Sequence, residues 1–108
     1  MRVVLVVPSS AVFESMGPTL MRTAMLMPPV GVVGLASYLE VNGVEVAVVD
    51  AVTQRLDAGK CAQRISELQP DLVGFSALTW SFYYVTQTIS ALRCKLPDVP
   101  VVLGNIHA

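Results

Sequence analysis

Four short runs of valine, leucine and their neighbours recur along this chain, at 3–7, 44–49, 72–75 and 101–103. They lack the strict apolar/polar alternation of a strand with one wet face, so each reads as a strand buried on both sides. Between them lie stretches of helical period. Helices are predicted at 29–41, at 58–68 and from 80 or 81 to 96, where Phe82, Val85, Ile89, Leu92 and Leu96 recur at helical spacing. Strands of this type alternating with helices point to a parallel sheet covered on both faces.

The expected fold is therefore α/β: a three-layer, Rossmann-like (flavodoxin-like) parallel sheet with strand order 2-1-3-4 and right-handed crossovers. A fifth strand, common in such folds, is absent, so the chain reads as one domain, 1–108, taken from the amino-terminal part of a longer protein and truncated before that strand.

Local signals agree with these elements. Pro29 suits a first helical turn, and Asn42-Gly43 suits a helix end. Asp57 is placed to cap the second helix. In the first helix Val30, Val33, Ser37, Tyr38 and Val41 share one side, with Leu35 and Leu39 beside it. Gly31 and Gly34 each cost about 1 kcal/mol there relative to alanine, which calls for close approach to a sheet or a planar ligand. The stretch 8–28 carries Met16, Met21, Met25 and Met27, adaptable apolar side chains suited either to covering the core edge or to lining a large cofactor or partner surface.

In a sheet of this kind ligands sit beyond the carboxyl ends of the strands, where strand order reverses. Those ends are Pro8, Ser9 and Ser10; Asp50 and Ala51; Ser76, Ala77, Leu78 and Thr79; and Gly104, Asn105, Ile106 and His107. Ser76 and Thr79 suit either capping of the third helix or contact with a polar ligand.

Several chemistries are excluded at these ends. The first strand is followed by "PSSAVF", not a Gly-x-Gly-x-x-Gly turn, and there is no phosphate loop. "GVVG" at 31–34 lacks the first glycine turn. Asp50 alone does not make the acidic cluster of a phosphoacceptor, and Ser76 lacks a nucleophile elbow. His107 is the sole histidine, and without a second ligand it builds no protein-only metal site. It reads as a simple polar residue or as a contact at a cofactor's edge.

Composition narrows the partners. The chain is 54% hydrophobic and 14% charged, with mean hydropathy +0.63 and net charge −1, so part of its apolar surface is expected to lie against something else. No apolar run reaches the 18 or so residues of a membrane span, and the amino terminus has no secretory pattern, so a cytoplasmic setting is expected. The seven basic residues are scattered, which disfavours nucleic acid. Cys61 and Cys94 read as reduced thiols.

Taken in order, "MRVVLVVPSS", "PPVGVVGLASYLEVNGVEVAVVDA", "PDLVGFSALTW" and "LPDVPVVLGNIHA" resemble the cobalamin (vitamin B12) binding domain that precedes the catalytic domain of cobalamin-dependent radical S-adenosylmethionine enzymes of cyclase or methyltransferase type. The resemblance implies a corrinoid cofactor at the strand ends. Ser76 and Leu78 match the Ser-x-Leu element lining the cleft for the nucleotide tail, and Gly104 matches the first glycine of a Gly-Gly element, with Asn105 in place of the second. Relatives that hold cobalt through histidine use Asp-x-His-x-x-Gly; here Pro29, Gly31 and Gly34 stand at those positions, which implies cobalamin bound base-off and His-off. The loop at 8–28 would then approach the lower corrin face. The resemblance further implies that S-adenosylmethionine and a [4Fe-4S] cluster belong to a downstream domain, and that this chain binds cofactor without being catalytic alone. The competing reading is a flavodoxin-like association domain that has lost its cofactor and forms a homo-oligomer through its exposed apolar surface.

Overall fold

The computed structural model of the chain describes residues 1–8, 30–52, 54–77 and 81–104. Its elements follow the expected alternation: β1 (Arg2–Val7), α1 (Val30–Val41), β2 (Glu45–Asp50), α2 (Ala58–Glu67), β3 (Leu72–Ser76), α3 (Phe82–Lys95) and β4 (Val101–Gly104). β1 pairs in parallel with β2 on one side and β3 on the other, so Val4 lies between Ala47 and Val73. β3 pairs in parallel with β4, and the sheet order is β2-β1-β3-β4, as predicted.

Because β1 leads to β2 in one direction and β2 to β3 in the other, right-handed crossovers send the connecting helices to opposite faces. α1 packs on the face of Val3 and Leu5, where Ala36 is its buried anchor. α2 and α3 share the other face, where Val4, Val6, Phe75, Ile65, Val85 and Leu92 form the larger core. Asp57 caps α2 as predicted, its Oδ1 accepting from the backbone N–H of Lys60 at 2.8 Å. Two hydroxyls in this core are satisfied locally: Thr88 donates to the carbonyl of Tyr84 at 2.8 Å, and Tyr84 donates to the carbonyl of Leu56 at 2.6 Å.

Two arginines hold the strand ends in place. Arg2 pairs through Nε with Glu45 at 2.8 Å and donates from Nη1 to the carbonyl of Leu68 at 2.6 Å, joining β1, β2 and the turn into β3. The pair is exposed, with the Glu45 carboxyl held below its usual range by the hydrogen bond and charge of Arg2. Arg93 donates to the carbonyls of Leu96, Pro97 and Val99, so one planar guanidinium shapes the turn that launches β4.

The side of α1 that holds Val33, Tyr38 and Val41, grouped from sequence without a direction, faces outward, with Val41 87% exposed; Val32, Ala36 and Leu39 face the sheet. An almost wholly apolar helix gives no periodic cue to its buried side. Two expectations are corrected. Full burial on both faces holds for Val3–Val6 but not for β2 and β4, where Val48 and Val102 are exposed, because these strands are the sheet's edges. Ser76 is the last residue of β3 and does not cap α3, which starts from Ser81 without a side-chain capping bond.

The two-helix face should dominate stability. Ile65→Ala removes a fully buried side chain from it and is expected to cost about 2–5 kcal/mol, whereas Asp57→Ala removes one cap and should cost about 1 kcal/mol. Urea denaturation followed by circular dichroism measures both.

Candidate functional site

α1 packs mainly against β2 and β1. Among the described residues the same face of the sheet is covered over β1, where Val3 and Leu5 are buried, and is open toward β4, where Val102 is exposed; a groove of about 560 Å³ runs along it. Parallel register sets its floor. Leu5, Gly74 and Val102 form one row across three strands, and Ser76 stands opposite Gly104 in the next row, at the carboxyl end. α1 supplies the side wall through Gly31, Val32 and Leu35.

Glycine shapes this floor at two points. A Cβ on Gly74 would come within 3.1 Å of Leu5 Cδ2, so its absence lets Leu5 lie across β3. A Cβ on Gly104 would meet nothing nearer than the carbonyl oxygen of Phe75 at 3.9 Å, so that position is open toward the groove mouth. The backbone N–H of Ala77 donates to the carbonyl of Gly104 at 2.9 Å, tying the ends of β3 and β4 together just beyond Ser76. Ala77 itself is buried and does not line the groove.

The electrostatics are plain. No charged side chain belongs to the described residues lining the groove, and Ser76 is their only polar side chain. Such a surface suits a flat, largely apolar group admitted at one polar edge. Asp50 lies away from the groove, its Oδ1 accepting from the N–H of Val52 at 3.1 Å to close the turn after β2. Among the described residues no group of three or more His, Cys, Asp or Glu side chains could hold a metal ion.

Of the strand-end residues predicted from sequence, Ser76 and Gly104 come together at the groove mouth. Pro8 is buried at the same edge of the sheet, directly after β1, and does not line the groove. Ser9, Ser10, Leu78, Thr79, Asn105, Ile106 and His107 lie outside the described residues, as does most of the methionine-bearing stretch. The contributions of Gly74 and Val102 were missed. A glycine inside a five-residue strand was the available signal for the first; for Val102, register alone reveals its side of the sheet. The close packing expected around Gly31 and Gly34 is not found, since no described atom comes within 4 Å of a Cβ at either position. Gly31 instead borders the groove.

A doubly wound parallel sheet ordered β2-β1-β3-β4, with an apolar groove on its one-helix face, is of the class in which ligands sit beyond the carboxyl ends of the strands, at the switch between β1 and β3. The family model of the B12 binding domain matches residues 19–108, and the chain belongs to that family. It is 38% identical over 81 residues to the anaerobic magnesium-protoporphyrin IX monomethyl ester cyclase of Rubrivivax gelatinosus, covering 74% of this chain and 15% of the cyclase. To the enzyme of the same name from Cereibacter sphaeroides it is 35% identical over 82 residues, covering 75% of this chain and 13% of that protein. The chain thus matches only a small part of these relatives' length. No solved structure matches it. No helix among the described residues is long and apolar enough to cross a membrane.

The thiols take no part in the groove. Burial is the main cause raising the Cys61 pKa from 9.0 to about 11, against a smaller lowering by the hydrogen bond with Tyr84, while Cys94 is exposed. In the folded chain at pH 8, an alkylating reagent should modify Cys94 alone, and a mass shift of two adducts should appear only after denaturation. Above pH 9 the unfolded chain loses its Cys61 proton first, so stability should fall as pH rises from about 9 to about 11; a Cys61→Ala variant should lack that component in urea titrations.

Proposed function

We propose that this chain is the corrinoid-holding module of a larger enzyme, with cobalamin seated at the carboxyl edge of the sheet and its nucleotide tail lying along the groove. The observation that carries this reading is the apposition of Ser76 and Gly104 at the mouth of an apolar slot whose floor is opened by glycine. The residues present fit the group: an aromatic base needs a flat apolar wall, and Ser76 offers a hydroxyl where the polar ribose-phosphate link would emerge. Pro8, Ser9, Ser10, Ala77, Leu78, Thr79, Asn105, Ile106 and His107 are the proposed remainder of the rim.

Binding is base-off and His-off in this reading. Gly31 occupies the first turn of α1 at the position where histidine-ligating relatives carry their ligand, so α1 presents no imidazole to cobalt. Bound cobalamin supplies cobalt-centred alkyl-transfer or redox chemistry; the chain's own residues bind and orient it. The catalytic partner we assign is a radical S-adenosylmethionine domain with a [4Fe-4S] cluster, of cyclase or methyltransferase type, in the cytoplasm. The relatives' names, which say that they are cyclases, support the cyclase type within this assignment.

Incubation with hydroxocobalamin followed by gel filtration should leave a corrinoid absorption band and about one cobalt per chain in the protein peak. Gly104→Leu fills an open position and should weaken binding at least about tenfold without altering the circular dichroism spectrum. Absence of retained cobalt from the unaltered chain would overturn the proposal. The outward apolar face of α1, with Tyr38 and Val41 exposed, favours one second reading, an association domain without cofactor. That reading requires a concentration-dependent oligomer in sedimentation velocity, and a monomer at high concentration removes it.

A further inference from the structure

We propose that the outer edge of β2 pairs with β2 of a second copy of this chain, antiparallel about Ala47, with the two α1 helices side by side on one face of the joined sheet. This association does not replace a cofactor. β2 and the rim of Ser76 and Gly104 belong to opposite ends of the strand order β2-β1-β3-β4, so a copy seated at β2 leaves that rim free.

Alternate residues of β2 turn their backbone groups toward β1. The N–H of Glu45 donates to the carbonyl of Met1 at 3.3 Å and that of Ala51 to the carbonyl of Val7 at 2.9 Å, so Ala47 and Val49 between them face β1 as well. Val46, Val48 and Asp50 face the other way. The carbonyl of Asp50 accepts from the N–H of Gln54 at 3.0 Å, whereas no described residue bonds to the N–H or C=O groups of Val46 and Val48. Native edges are commonly blunted by lysine, proline or a bulge. Glu45–Asp50 has neither residue, and its register with β1 runs without a break.

The occupant that fits this edge is the edge itself. A two-fold axis through Ala47, normal to the sheet, sets Val46 opposite Val48 of the copy and Val48 opposite its Val46, so each of their outward groups gains a partner. Charges do not collide, because Glu45 stands opposite Val49 of the copy and Asp50 opposite its Val44. Neighbouring registers do worse. Centring on Val48 sets Val46 against Asp50, whose carbonyl is taken, and centring on Val46 sets Val48 against Val44, whose N–H already donates to Leu39 at 3.0 Å.

The same axis brings α1 beside α1. Gly31, Val32, Leu35 and Leu39 border the groove on the side of α1 toward β3 and β4, so the helical period turns Val33, Ser37 and Val41 the other way, over the outer edge of β2. All three are exposed, and Glu40 is the sole charged residue of the helix. With each α1 over its own β1 and β2, the two helices stand two strand spacings apart, roughly 9–10 Å, which is the distance at which helices pack. Pairing thus removes free backbone and apolar side chains from water in one contact.

Sedimentation velocity on the unaltered 108-residue chain without cofactor, from about 1 to 100 µM, should show a concentration-dependent species of twice the chain mass. Val48→Pro deletes an outward N–H and leaves the β1 ladder intact, so it should weaken the dimer at least about tenfold with an unchanged circular dichroism spectrum. Ala47→Cys, made together with Cys94→Ser, should give a disulfide-linked dimer on mild oxidation, because a non-hydrogen-bonded antiparallel pair brings the two Cα atoms within disulfide reach. A chain that stays monomeric overturns the proposal, and so does a dimer that Ala47→Cys fails to trap or that Val48→Pro, still folded, leaves as tight. If the proline variant loses the native spectrum, trapping by Ala47→Cys decides alone. Cobalt retention is read separately, so failure of the pairing leaves the corrinoid reading standing, and failure of the corrinoid reading leaves the pairing.

Discussion

β1 is hydrogen bonded in parallel on both sides, and that single arrangement governs the architecture around it. A strand without a free edge must be left in one direction to reach β2 and passed in the other to reach β3. With right-handed crossovers these two moves put helices on opposite faces. The outcome is unequal: α2 and α3 pack together over one face, while α1 is alone on the other. The dry two-helix side accounts for most of the core. Among the described residues, the open part of the one-helix side is the groove, so the candidate binding surface follows from strand order.

The same logic separates rigidity from access. Arg93, bonded to three carbonyls in the turn before β4, and Arg2, bridging the starts of β1 and β2 to the turn before β3, lie at the amino-terminal ends of the strands. The carboxyl ends carry Ser76 and Gly104, small residues with little to fill the space above them. Fixed strand starts set the register, and register in turn brings Ser76 opposite Gly104. A slip of one residue would send Gly74, Ser76 and Gly104 to the helix-packed face.

Much of this was legible in the sequence because the signals were local or topological. Unalternating Val/Leu runs marked parallel strands, Asp57 marked the start of α2, and the strand ends located Ser76 and Gly104 as one rim. The failures have equally specific causes. α1 is apolar nearly all round, so periodicity could group Val33, Tyr38 and Val41 but could not say that they face outward. Gly74 looked like one more residue of an apolar run, and its value depends on Leu5, 69 residues earlier, lying beside it in the sheet. Ser76 sits on the boundary between strand and turn, where a capping role and a rim role have the same local sequence. Edge strands were read as fully buried because composition reports apolar character without reporting which neighbour is missing.

Gly31 joins these strands of argument. In a helix interior it is a weak residue, and no described atom packs where its side chain would be, so the described packing offers no stabilising contact in return. It lies at the first turn of α1, on the wall of the groove and close to its carboxyl-end mouth. A larger residue there would narrow the entrance, and a histidine would set a polar ring against a wall that is otherwise hydrocarbon. Glycine leaves the slot both wide and apolar. Its cost to the helix and its benefit to the groove thus have one origin, the absence of a side chain at the point where α1 meets the open half of the sheet.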